Sequence, residues 1–311
     1  MKAVMPIIMA SFACALDVPA PVFQVDLDAP AADRWEEPVT YMINTYGFEH
    51  SFQCVIDYVT SLVPQKVLTR LEPELLELLK FFPDEARKEI RGIAQIIDNL
   101  GYGDRLSLGE LAAVNLMYEF TVFCTSIVAE NANGDVVHGR NLDYSIIGLQ
   151  NLTAQIDFMK DGEVIYRGSE FVGYVGLLTG MRPGGWSVSV DQRAKYEFVN
   201  STKKGSAAGI LENILSAASG GSTIGSFLRQ TLEEEAKFED AMPKLKHSKL
   251  IAPVYLTVAG VDHLQGAVIT RQRIHPDQSH KEGVWSLSED DHFRLVTNYD
   301  HWDPVPKDDN R

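Results

Sequence analysis

The sequence predicts an α+β fold with largely antiparallel sheets, and three observations carry that prediction. Apolar residues recur at helical spacing from about residue 50 to 120. At Cys124 the period changes to strict alternation. Helices and strands then return in separate blocks, not in the βαβ order of a parallel sheet.

Taken in order, residues 16–45 are Pro- and Ala-rich, with short alternating pieces such as "PVFQVDLDAP". They read as an extended lead-in containing a strand. The helical stretch follows in "SFQCVIDYVTSLVPQKVLTRL" and "EPELLELLKFF", punctuated by Pro64, Pro73 and Pro83. A third helix, "PDEARKEIRGIAQIIDNLG", opens on Pro83 with two acids and closes on Asn99 and Gly101. "LSLGELAAVNLMYEF" is a fourth. Strands are predicted at 124–130 and 136–142, then in "TAQIDFM", "EVIYRG", "EFVGYVGLLTG" and "WSVSVDQR". Helices return in "GILENILSAA" and "TIGSFLRQTLEEEAKFEDAMPKL", and strands in "APVYLTVAGV", "GAVITRQRI" and "FRLVTNYD". The sharpest change along the chain falls between residues 123 and 124.

With 311 residues, 45% of them hydrophobic, the chain can bury a sizeable core. Its formal charge of −15 argues against a nucleic-acid partner, which needs clustered Lys and Arg, and leaves a lipid, neutral or cationic ligand open. No apolar run reaches the ~18 residues that span a bilayer. Lys2 precedes an apolar run that ends in Ala13-Cys14-Ala15, which reads as a signal peptide over 1–15 cleaved after Ala15. Two sequons agree with that route, at Asn151 and Asn200. Cys14 would leave with the signal. Of the remaining two, Cys124 reads as a buried hydrophobe, a disulfide partner of Cys54, or a reactive thiol. No His or Cys spacing fits a zinc site. "VIDYVTSLV" and "LLELLKFF" read as core stripes, with a membrane or micelle surface as the other use for such helices.

Asn133-Gly134 is a hairpin signal. A two-residue loop there sets Cys124 opposite Asp143 and Ser126 opposite Asn141, and turns Arg140 and His138 away from the Cys124 face. His138 is therefore read as structural. A carboxylate beside a thiol would raise the thiol pKa, so the pairing makes sense with a cation between them. The α-amine of Cys124, freed by a cut after Phe123, would serve. Its ordinary pKa of about 7.7–8.0 suits proton transfer near neutrality.

"FCTSIVAEN", "GDVVHGRNLDY", "GYVGLLTG" and "TNYDHW" resemble the acid amidase and acid ceramidase family, lysosomal members of the linear-amide, choloylglycine-hydrolase group. The resemblance runs from "VDLDAPAADRW" to the end of the chain. It implies an N-terminal-nucleophile (Ntn) hydrolase, an αββα sandwich with an N-terminal helical region. It implies a precursor that cuts itself between Phe123 and Cys124 into a helical α-chain, 16–123, and a catalytic β-chain, 124–311, held as a heterodimer. Cys124 would be the nucleophile. Arg140 and Asp143 match the family's "GRN[LM]D" and would hold the Cys124 amine. Asn298 matches the residue that completes the oxyanion hole. Arg311, in "DDNR" where the family has "DDRR", falls at an active-site Arg, and the family's sequences continue beyond it. The reaction so implied is hydrolysis of N-acylethanolamines to fatty acid and ethanolamine, with no metal or cofactor, in the lysosome or after secretion. "TNYDHW" and the Phe before the nucleophile fit the amidases better than the ceramidases. Ceramide hydrolysis is the alternative, and a non-cleaving lipid-binding relative is the non-enzymatic rival.

Overall fold

A computed structural model describes residues 19–62, 70, 72–117, 123–143, 146, 148–193, 196–199, 202–205, 216–217, 219–277 and 283–305. The expected signal peptide, Asn200 and Arg311 lie outside these residues, as does most of the helix expected in "GILENILSAA".

The first strand, β1 (Val22–Asp26), buries Phe23 and Val25 on one face. Helix α1 (Glu36–Tyr46) follows it. The extended reading of 16–45 missed this helix. Glu36 and Glu37 sit in its first turn, where the helix dipole favours anions, and Val39, Met42 and Ile43 form its buried face. Helices α2 (Phe52–Leu62), α3 (Glu72–Leu76), α4 (Asp84–Asn99) and α5 (Leu108–Met117) fill the predicted helical stretch. Pro83 precedes α4 and Gly101, at φ +88°, follows it, as the punctuation predicted.

Strands β2 (Phe123–Glu130) and β3 (Val136–Asp143) form the hairpin. β4 (Thr153–Lys160), β5 (Glu163–Phe171), β6 (Thr179–Arg182) and β7 (Trp186–Gln192) make a meander. The expected strand "EFVGYVGLLTG" is split, with a buried loop between Phe171 and Thr179. Glycines at 173 and 176 loosen the strand pattern there, and Gly173 adopts φ +108°. A short hairpin, β8 (Tyr196–Val199) and β9 (Thr202–Gly205), comes next. The long helix expected over 223–245 is two, α6 (Ile224–Glu234) and α7 (Phe238–His247), because the chain is extended at Glu235 and Lys237. β10 (Val254–Ala259), β11 (Gly266–Arg271), β12 (Val284–Ser286) and β13 (Phe293–Val296) complete the described elements.

Among the described residues, eight strands form one sheet in the order β1-β4-β5-β6-β7-β10-β11-β12, and three form a second in the order β13-β2-β3. All named pairings are antiparallel except β1 on β4. β2 lies over β7, β10 and β11, so the two sheets face each other. Helix α6 covers the other face of the large sheet at β5 and β6. Three of the four layers of an αββα sandwich are thus present among the described residues.

The region before residue 123 is bound into this sandwich twice. β1 supplies an edge strand. A buried charge cluster supplies the second tie. Glu89 on α4 accepts hydrogen bonds from Arg34 Nη1 (3.0 Å), Trp35 Nε1 (3.0 Å) and Arg229 Nη1 (2.6 Å) on α6. Burial alone would raise the Glu89 pKa, but these partners, Arg229 foremost, hold it below the usual carboxylate range. Helix α4 approaches so closely that a side chain at Gly92 would start 1.9 Å from the Ala32 carbonyl oxygen. Glu89→Ala leaves Arg34 and Arg229 without their shared acceptor and is expected to cost about 3–5 kcal/mol. Urea unfolding measures it, and a loss below about 1 kcal/mol would contradict the role given to the cluster.

Candidate active site

The site is set by the β2–β3 turn. Asn131 N–H donates to Asp135 O and Gly134 N–H to Asn131 O, both at 3.0 Å, so three residues, not two, form the loop. Gly134 takes φ +84°, a left-handed conformation that glycine adopts at little cost. Asn131 Oδ1 fixes the turn from inside, accepting from the N–H groups of Asn133 (2.8 Å) and Asp135 (3.0 Å). The extra residue moves the ladder by one. Cys124 pairs with Leu142, Ser126 with Arg140, Val128 with His138, and Phe123 with Asp143.

This corrects the expected register and changes which side chains share a face. Partners directly opposite point the same way, so Cys124, Ser126, His138 and Arg140 all face the large sheet. Arg140, expected on the far face, reaches Cys124 Sγ with Nη2 at 3.3 Å. It also donates to Thr179 Oγ1 (2.7 Å) and the Val190 carbonyl (2.5 Å). His138, expected off the Cys124 face, lies on it and contacts Ser187 Oγ (2.9 Å) and Ser189 Oγ (2.8 Å). Asp143 does not stand across from the thiol. It lies across from Phe123 and accepts a hydrogen bond from Asn141 Nδ2.

The carboxylate at the sulfur is instead Asp191, on β7, which the sequence reading did not single out. It accepts from Ser126 Oγ at 2.9 Å, and Arg140, which reaches the Cys124 sulfur, lies with Nε 3.5 Å from its Oδ1. Burial pushes Asp191 up to about 6, with Arg140, Ser126 and Cys124 pulling the other way. Burial and the Arg140 charge push His138 down to about 4. The one available signal was an Asp at an inward position of "WSVSVDQR", a strand otherwise composed for a core.

Asn298, just after β13, is brought to the nucleophile as expected. Its Oδ1 accepts the Cys124 backbone N–H at 2.8 Å, and its Nδ2 donates to the Gln192 carbonyl at 2.9 Å. Cys54 and Cys124 are both buried and form no disulfide, so the disulfide alternative is set aside. Asn151 Nδ2 donates to the His50 carbonyl at 2.7 Å, so a glycan there would displace that bond. No group of three or more His, Cys, Asp or Glu among the described residues could hold a metal. No described helix is long and apolar enough to cross a membrane.

Comparison with known proteins decides among thiol chemistries. The sequence profile of the linear amide C–N hydrolases, choloylglycine hydrolase family, matches residues 124–311, beginning at Cys124. The chain belongs to this family. It is therefore an amide C–N hydrolase with a cysteine nucleophile and the Ntn fold. The N-acylethanolamine-hydrolyzing acid amidase of Rattus norvegicus is 38% identical over 295 residues, covering 94% of this chain and 74% of its own length. Acid ceramidase of Macaca fascicularis is 33% identical, covering 94% of this chain and 73% of its own. In structure, the Caenorhabditis elegans N-acylethanolamine-hydrolyzing acid amidase ortholog superposes with a TM-score of 0.50 at 35% identity, covering 58% of this chain and 71% of that one. Asp191 should contribute to the pH dependence of stability, beside the fully buried Glu170, whose pKa burial also raises. The raised Asp191 pKa favours the folded chain fully below about pH 4, and that contribution is lost as pH rises to about 6. Asp191→Asn is expected to flatten the decline in unfolding free energy across this window, measured by urea titration at a series of pH values. An unchanged slope would place the ionisation elsewhere.

Proposed function

We propose that this chain is the precursor of an acid amidase that hydrolyses N-acylethanolamines to fatty acid and ethanolamine, in the lysosome or along the secretory route to it. The observation that carries the reading is Cys124 at the start of β2, its sulfur flanked by Arg140 and Asp191 and its N–H held by Asn298. The 38% identity to an amidase of that specificity selects the substrate class over ceramide, for which the relative is 33% identical.

In this reading the first reaction is internal. Cys124 Sγ attacks the Phe123 carbonyl carbon, the C–N bond to the Cys124 nitrogen breaks, and the acyl group moves to sulfur. The departing nitrogen takes up a proton and becomes the α-amine, and water then hydrolyses the thioester, freeing the thiol and leaving a carboxylate on Phe123, to give chains 16–123 and 124–311. Asp143 faces Phe123, one position from the new amine, which is where a carboxylate would hold an ammonium. The same sulfur then attacks the substrate amide. The α-amine protonates the leaving ethanolamine and next activates water. Asn298 supports the developing oxyanion, and Arg311 is assigned the same neighbourhood by its motif.

The acyl chain needs an apolar seat. Phe52, Val55, Leu111, Leu149, Phe171 and Leu178 line an apolar cleft between the helices before residue 123 and the loops around β5. Its free volume of about 50 Å³ is far below the roughly 300 Å³ of an occupied ligand site. Together with a fully buried Cys124, this describes a closed precursor. A membrane or micelle would deliver the lipid, and Leu76 on α3 is an exposed apolar side chain.

Acid incubation is expected to give two fragments on a denaturing gel, and Cys124→Ala to remain whole and inactive. An intact chain with full activity would refute processing. Palmitoyl ethanolamide should be turned over faster than ceramide by the same sample, and the reverse order would assign the ceramidase reaction. Asn298→Ala should lower kcat by about 10²–10³ with a smaller change in KM. A change confined to KM would remove Asn298 from the oxyanion site.

A further inference from the structure

Cys124 is wholly buried, yet chemistry at its sulfur requires a proton to leave and return. The space between the two sheets holds a continuous line of hydrogen-bonding groups that begins beside that sulfur. Arg140 brings the Cys124 sulfur and the Asp191 carboxylate to one place, with Nη2 3.3 Å from Sγ and Nε 3.5 Å from Oδ1. Asp191 Oδ1 accepts from Ser126 Oγ at 2.9 Å. Ser126 Oγ lies 2.9 Å from Ser189 Oγ, and Ser189 Oγ lies 2.8 Å from His138 Nε2. His138 Nδ1 contacts Ser187 Oγ at 2.9 Å, and both residues line a groove of about 570 Å³ alongside β3. Each link from Asp191 outward is within ordinary hydrogen-bond distance. The line thus runs from a buried nucleophile to solvent with an ionisable ring at its outer end.

We propose that Ser126, Ser189 and His138 form a proton relay between the groove and the Asp191 carboxylate at the Cys124 sulfur. The proposal rests on Cys124 as the attacking thiol and adds the route its proton takes. As sulfur bonds to the carbonyl carbon, its proton passes to Asp191. Asp191 gives a proton to Ser126 Oγ, Ser126 gives its own to Ser189 Oγ, and Ser189 gives its own to His138 Nε2. His138 releases the Nδ1 proton to solvent in the groove. Each hydroxyl loses one proton and gains one, His138 exchanges tautomers, and the sulfur's proton is balanced by one delivered to water. The reverse sequence returns a proton when the thiolate leaves.

The surroundings suit this task. A relay through imidazole needs one N–H and one lone pair, which is the neutral ring. Burial, helped by the charge of Arg140 two residues away on the same strand, keeps His138 neutral across the physiological range, while the facing β7 offers the hydroxyls of Ser187 and Ser189. Asp191 faces Arg140 from β3, Cys124 and Ser126 from β2, and Tyr255, its partner on β10. The Tyr255 hydroxyl is committed to Asp300 Oδ1 at 2.6 Å, so it offers no competing exit. Ser126, Ser189 and His138 act through Asp191 and are positioning residues in this scheme.

Two measurements test the relay. In the uncut Cys124→Ala chain, the infrared carboxyl band of Asp191, identified by its loss in Asp191→Asn, should appear rapidly after a jump from neutral to acid pH. Ser189→Ala or His138→Phe should slow its appearance at least ~tenfold, about 1.4 kcal/mol of barrier. In the chain with Cys124 intact, His138→Ala should slow self-cleavage. Added imidazole should restore it, and pyrazole, of the same size but far less basic, should not. Unchanged band kinetics in the variants, or equal rescue by the two rings, would overturn the relay. A wild-type chain that never cuts itself would count against the proposed function and leave the infrared measurement to decide this one.

Discussion

The parity of one hairpin governs this molecule. Side chains on a strand alternate between faces, so a one-residue change in loop length exchanges every inward residue for an outward one. Gly134 in its left-handed conformation, with Asn131 bracing the turn, sets a three-residue loop. That places the even-numbered residues of β2 and β3 against the large sheet. Cys124, Ser126, His138 and Arg140 owe their common address to it. With the opposite parity on β3, Arg140 and His138 would face outward and the sulfur would lose its cation.

The space between the sheets is built against the usual preference for apolar layers. Ser126, Ser189, Asp191 and Asn298 are all buried, and Arg140 enters from one side. Groups taken from water are costly unless they satisfy one another, and each of these residues has a named partner, although Asp191 Oδ2 accepts no hydrogen bond among the described residues. Arg140 joins the parts, spanning the sulfur, Thr179 and the Val190 carbonyl. Its charge lowers the Asp191 pKa against burial and lowers that of His138 with it. One guanidinium thus biases a carboxylate toward its ionised form and an imidazole toward its neutral form.

Much of the fold could be read from local pattern. The proline and glycine bounds of α4 and the switch to alternation at Cys124 were visible because backbone geometry dictates them. Helix α1 was not, because Ala- and Pro-rich flanks obscured a short amphipathic face. The break between α6 and α7 carries no glycine or proline at residues 235–237 to announce it. At the site, motifs picked out Cys124, Arg140 and Asn298, which the structure sets side by side, but the register was not legible. Asn133-Gly134 suits both a two-residue and a three-residue loop, and only the backbone chooses. Asp191 lies 67 residues after Cys124 (191 minus 124) in a different sheet, so no local spacing could pair them.

The parallel seam between β1 and β4 has a bearing on how such an enzyme ages. Residues Val22–Asp26 are zipped to Gln155–Met159 by main-chain bonds, with Glu89 clamped by Arg229 behind them. Were the backbone severed ahead of Cys124 as proposed, that seam would be untouched, and the two pieces would stay clasped without a covalent link between them. The information needed to build the fold would then be divided between separate molecules. A freshly made chain can find its shape as one polymer. A cut one that melted would have to reunite two partners at whatever dilution it found itself, and so would have far less chance of recovery.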